Sequence, residues 1–142
     1  MICIFVFYNA PDHKLSWFTS KEFRHCDLYT YDGEYWLYHN LGFEGITTRV
    51  YPNTPAEKVI AAIKNLPTVT NLVTIYIHTK LNPIWKPFYI RTCNEIVRYL
   101  SGVDIGMSYN PRHLHNKLLK YGDSRNYEIL ERWQVIKIIP VK

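Results

Sequence analysis

No run in this 142-residue chain approaches the roughly 18 consecutive apolar residues that a membrane-spanning helix needs. Residues 1–8 (MICIFVFY) are apolar but short. They lack a basic leader and a small-residue cleavage site, so they read as a buried strand rather than an export signal. That absence predicts residence in a cytoplasm. Cysteine is scarce, with three residues at wide spacing, Cys3, Cys26 and Cys93. An odd number so placed argues against a disulfide framework and predicts reduced thiols. Charge is also not concentrated. Lys and Arg outnumber Asp and Glu by 17 to 12, a net +5, yet no basic run reaches five residues. Such a balance permits contact with nucleic acid or an anionic surface without demanding it. Repeats, linkers and low-complexity segments are missing too. With 47% hydrophobic residues, the chain predicts a single domain over 1–142 with one core.

What is present is a mixture of strand and helix signals. Residues 24–31 read as a strand, Asp32-Gly33 as a hairpin turn, and 34–39 as the returning strand. Ile46 to Tyr51 is β-branched and reads as a third strand of the meander. Thr54-Pro55-Ala56-Glu57 matches a capping box with Pro at the first helical position, predicting a helix over 55–66 that Pro67 stops. Asn71 to His78 reads as a strand, and 81–88, with two prolines, as an irregular approach to the next helix. That helix spans about 93–100 and ends near Gly102. Asn110-Pro111 opens another, with Leu114, Leu118 and Leu119 on one face and Gly122 at its end. Residues 127–139 read as one or two strands. The loop at 9–16 and a short helix or turn at 17–23 complete the expectation.

Cys93 is the most informative residue. It follows Thr92 and precedes Asn94-Glu95, so Thr92 and Glu95 form a capping box and Cys93 falls in the first helical turn. Unpaired backbone N–H groups and the positive end of the helix dipole favour thiolate there. A nucleophilic cysteine needs a base and a group to orient it. His25 is the leading base, and strand alternation places Asp27, Tyr29 and Tyr31 on its face. A two-residue turn at Asp32-Gly33 sets His25 opposite Asn40; a three-residue loop sets it opposite His39. The two registers exchange faces, so only one of these can serve as the third residue.

The order of histidine strand, hairpin partner and cysteine helix resembles the circularly permuted, papain-like NlpC-type cysteine hydrolases, relatives of the lecithin retinol acyltransferase group. The matching pieces are Ser16-Trp17-Phe18, Phe23-Arg24-His25, the Tyr31-Asp32-Gly33-Glu34 hairpin and Gly45-Ile46-Thr47. Tyr89 to Val97 and Tyr109-Asn110-Pro111-Arg112-His113-Leu114 follow. Each motif is short; together they cover roughly 16–119. Arg24 and Cys26 depart from the small residues that flank the histidine in that group, and Tyr35-Trp36-Leu37-Tyr38 is bulkier than its partner strand. The resemblance implies a papain-like α+β fold, a small antiparallel sheet packed on the Cys93 helix. It implies Cys93 as nucleophile, His25 as base and His39 as third residue, with Asn40 the alternative. Trp17, Tyr38 and Tyr89 are the implied substrate-binding side chains. The implied chemistry is acyl transfer on a peptide or other acyl substrate through a thioester, with no cofactor. The compactness resembles the small versions carried by bacterial viruses.

Blander readings stand beside these. Cys3, in an apolar strand, reads as core, and Cys26, on a strand, lacks helix-terminus activation. His113-x-His115 resembles a ligand pair, but residues two apart on a helix diverge, so no metal site is expected. Tyr29, Tyr31, Tyr35, Tyr38 and Trp36 read as cross-strand packing, or else as a groove wall or base-stacking surface. Arg112, Lys117, Lys120 and Arg125 read as a solvated basic face. The rival to the hydrolase is a non-catalytic binding module for nucleic acid or protein. Neither the substrate nor the oligomeric state is encoded in any motif.

Overall fold

The chain's most apolar segment becomes its central strand. β1 (Ile2–Tyr8) is buried on both faces from Ile2 to Phe7, which explains why it shows no polar alternation. The structure is a computed structural model and describes residues 1–9, 21, 23–42, 45–77, 92–102, 106, 108–123 and 133–140. β2 (His25–Tyr31) pairs antiparallel with one edge of β1, and β5 (Val69–Ile77) with the other. β3 (Trp36–Gly42) and β4 (Gly45–Tyr51) extend the sheet as a meander beyond β2. β6 (Trp133–Pro140) pairs with β5. The result is a six-stranded antiparallel sheet in the order β4-β3-β2-β1-β5-β6.

Among the described residues three helices cover this sheet. α1 (Ala56–Lys64) lies on one face, with Val59, Ile60 and Ile63 against Ile4, Val6, Trp36 and Leu72. α2 (Cys93–Ser101) and α3 (Pro111–Asp123) lie on the other. There Val97, Leu114 and Leu118 pack on Phe5, Phe7, Cys26, Leu28, Val73 and Ile75. The expected α+β class with an antiparallel sheet on the Cys93 helix is what folds. Among the described residues no helix is long and apolar enough to cross a membrane.

Local chemistry departs from expectation in three places. The β2–β3 turn is neither of the two lengths predicted. Tyr31 pairs with Trp36, so Asp32 to Tyr35 form a longer loop. The Asp32 carboxylate causes this: its Oδ1 accepts the N–H groups of Glu34 (2.8 Å) and Tyr35 (2.9 Å), an Asx-type closure with Gly33 at φ +115°. At α1 the expected capping box does not form. Thr54 donates its hydroxyl to the Pro52 carbonyl (3.2 Å), and Pro55 is the N-cap without a side-chain bond. α3 runs through Gly122 to Asp123 rather than stopping before it. The expected loop at 9–16, the turn at 17–23 and the irregular stretch at 81–88 fall almost wholly outside the described residues.

Candidate active site

α2 begins as its sequence requires. Thr92 is extended (φ −134°, ψ 152°), and its Oγ1 accepts the Glu95 N–H at 3.4 Å. The helix ends on Gly102 in the left-handed region, φ +67°. Asn94, buried in the first turn, donates its side-chain amide to the Ser108 carbonyl and ties the helix start to the segment before α3. Ile96 and Val97 are buried and Leu100 packs beside them, so α2 seats firmly on the sheet, chiefly against β2. This fixes Cys93, half-buried, over the start of β2.

The sheet is open at that point. The pairing of β2 with β3 stops at Leu28 and His39, although β2 starts at His25 and β3 continues to Gly42. The Cys93 sulfur occupies this unpaired strand edge. It accepts the backbone N–H of Cys26, contacts the Cys26 thiol and faces the His25 ring. These contacts lower the Cys93 pKa well below a normal thiol: the Cys26 thiol contributes most, and the His25 bond and charge add to it against the opposing effect of burial. Cys26, fully buried beside that thiolate, moves the other way.

His25 is oriented by a buried carboxylate. Its Nε2 lies 2.8 Å from Asp27 Oδ1, two residues along the same face. Asn40 Nδ2 sits 3.1 Å from that ring nitrogen and donates to the same Asp27 oxygen at 2.7 Å. One nitrogen cannot both donate and accept, so Nε2–H belongs to Asp27 and Asn40 serves the carboxylate. Tyr38 donates to Asp27 Oδ2 at 2.8 Å, and Tyr8 also hydrogen-bonds this carboxylate. Burial alone would lower the His25 pKa, but the Asp27 bond and the Cys93 partner override it and raise it to about 10. Both shifts favour a thiolate facing an imidazolium.

The register decides the third residue. His39 lies on the opposite face of β3, with Nδ1 3.0 Å from Thr48 Oγ1 and Nε2 3.4 Å from Thr30 Oγ1. It is turned away from His25 because the longer turn shifts β3, so the expected neighbour His39 does not reach the ring, and Asn40 and Asp27 are the side chains beside it. Sequence reasoning placed Asp27 on the right face but gave it no role; its i+2 spacing from His25 was the available signal. Tyr38 supports Asp27 rather than standing free. Trp17 and Tyr89 lie outside the described residues.

Other candidate groups disperse. Trp36 is buried, stacks on Tyr31 (5.0 Å) and donates to the Thr54 carbonyl. It packs the hairpin and offers no face for stacking. Tyr29 and Tyr38 are likewise a cross-strand pair, 4.8 Å between rings. His115 is buried against Phe23 (4.7 Å) and Phe7 (5.1 Å), while His113 stacks on Tyr109. Among the described residues no group of three His, Cys, Asp or Glu side chains is placed to hold a metal ion. Compared with known families, curated proteins and solved structures, the chain has no match.

Proposed function

We propose that this protein is a cysteine-dependent hydrolase or acyltransferase of the permuted papain-like type, acting on an amide, ester or thioester. The observation that carries this reading is the grouping of Cys93 at a capped helix start with His25 beside it and Asp27 bonded to the His25 imidazole. The thiolate attacks a carbonyl carbon and forms the C–S bond. Negative charge moves to the carbonyl oxygen, where the Cys93 backbone N–H at the helix start is a natural donor. The His25 imidazolium then gives its proton to the leaving amine, alkoxide or thiolate, and a thioester remains. Neutral His25 next takes a proton from water, or from another acceptor, which attacks the thioester and frees Cys93. Asp27 keeps Nε2 protonated throughout and leaves the other ring nitrogen to exchange protons at the sulfur.

Activated acyl esters test this reading. Incubation with short-chain p-nitrophenyl esters is expected to give a burst of nitrophenol and a hydroxylamine-labile acyl group on Cys93, absent in Cys93→Ala. Acylation confined to surface lysines, with no burst, would contradict it.

A further inference from the structure

Acyl transfer needs a nucleophile, a base and an oxyanion donor; it has no use for a second thiol. Yet Cys26 lies against Cys93, its thiol on the Cys93 sulfur and its backbone N–H on the same atom. The two cysteines differ in access. Cys26 is sealed among Phe7, Leu28 and the α2–α3 side chains, whereas Cys93 is only partly buried. A small oxidant therefore meets Cys93 first. They also differ in freedom from Cys3, which sits elsewhere in the core opposite Thr30 with its sulfur 4.0 Å from the Ser101 carbonyl. Burial pushes the Cys3 thiol up to about 12, which makes it an inert internal reference.

We propose that Cys93 and Cys26 form a hydroperoxide-reactive dithiol, with Cys93 the thiol oxidised first and Cys26 the thiol that resolves it into a disulfide. The Cys93 thiolate attacks one oxygen of the hydroperoxide and the O–O bond breaks. Cys93 becomes a sulfenic acid, and the departing alkoxide or hydroxide takes a proton from the His25 imidazolium. The Cys26 sulfur then attacks the sulfenic sulfur. The S–S bond forms, hydroxide leaves, and the Cys26 proton completes it as water. Two thiols lose two electrons and the peroxide gains them. Closing the bond requires the two Cβ atoms to approach within about 4 Å. The Cys26 stretch of β2 has no ladder pairing on its β3 side, while its other edge is held opposite Phe7 of β1. The disulfide removes the nucleophile reversibly and blocks its further oxidation to sulfinic acid.

Peptide mapping of the full chain after brief exposure to hydrogen peroxide tests the pair without any acyl substrate. Dithiothreitol-sensitive linkage of the Cys26 and Cys93 peptides is expected, with Cys3 fully alkylated by iodoacetamide. At pH 6 Cys93 should be oxidised about tenfold or more faster than Cys3. In Cys26→Ala, Cys93 should instead be trapped by dimedone and proceed to sulfinic acid. The wild-type map decides alone if that variant does not fold. A dimedone adduct or sulfinic acid on Cys93 with Cys26 still a free thiol, or Cys93 no faster than Cys3, would overturn the proposal. Because acylation is scored separately, an acylated Cys93 with no disulfide defeats the dithiol and leaves the hydrolase reading intact.

Discussion

At its turn the β2–β3 hairpin is aromatic and fully paired: Tyr31 stacks on Trp36, Tyr29 on Tyr38, and the Asp32 carboxylate closes the loop. At its other end the same two strands part after Leu28 and His39, and the gap holds His25, Asp27, Asn40 and the Cys93 sulfur. The closed end satisfies its backbone through the ladder and its side chains through packing. The open end leaves a strand N–H without a β3 carbonyl, and that N–H meets the Cys93 sulfur instead. The hairpin thus holds packed aromatics at one end and the candidate site at the other, with Tyr38 linking the two because it packs on Tyr29 and donates to Asp27.

Substitutions that separate the ends test this division. The largest effect on stability is expected from Trp36→Ala, at about 3–5 kcal/mol, since a fully buried ring and its bond to Thr54 are lost. Urea unfolding reads that loss, while Cys93 alkylation below the transition should hardly change. Loss of alkylation in the folded variant would show that the ends are not separable. At the open end, Asp27→Asn keeps the shape but removes the charge that binds His25. It is expected to cost about 3 kcal/mol by urea unfolding and to slow Cys93 alkylation at pH 6.

The pH dependence of stability is the next largest effect, and its signs oppose. His25, raised to about 10 from an unfolded value near 6.5, stabilises fully below pH 6.5 and loses that contribution as pH rises through 10. Cys93, lowered from 9.0, stabilises fully above pH 9 and loses it as pH falls toward its folded value. Between about 6.5 and 9 the two groups therefore pull the slope in opposite directions and offset one another. Urea midpoints should be flat across that window in wild type and should fall with rising pH in Cys93→Ala. A wild-type slope equal to that of the variant would break the pairing of the two groups. The smallest effects come from neighbouring residues on β3. Asn40→Ala should slow alkylation by about threefold to tenfold, roughly 1 kcal/mol. His39→Ala should leave alkylation unchanged, because its ring bonds Thr48 and Thr30 on the other face.

The start of α2 was legible because Thr92 and Glu95 act within one helical turn, and nothing distant competes for them. β1 was legible as a buried strand from its unbroken apolar run, and His25 and Asp27 shared a face by alternation alone. The hairpin register was not legible. Asp32-Gly33 fits two short turns by residue type, and only the capture of two N–H groups by the Asp32 carboxylate selects a longer loop. That shift is what placed Asn40 rather than His39 beside the His25 ring, with Asp27 the group on Nε2. The cap of α1 also differed, since the N-cap position falls on Pro55, which has no side-chain acceptor, and Thr54 turns its hydroxyl to the Pro52 carbonyl. The contact of Cys26 with Cys93 depends on how α2 meets an unpaired strand edge, a tertiary fact with no local signature.

The rate of Cys93 alkylation by iodoacetamide against pH, mapped by mass spectrometry in wild type and His25→Ala, tests the central claim most directly. In wild type Cys93 is expected to react well below pH 8 along a plateau, and in His25→Ala to lose about 100-fold of its rate at pH 6, equivalent to a thiol pKa rise of about two. Equal profiles for the two proteins, each rising only near the ordinary thiol pKa, would contradict the thiolate–imidazolium pair and the acyl-transfer chemistry built on it.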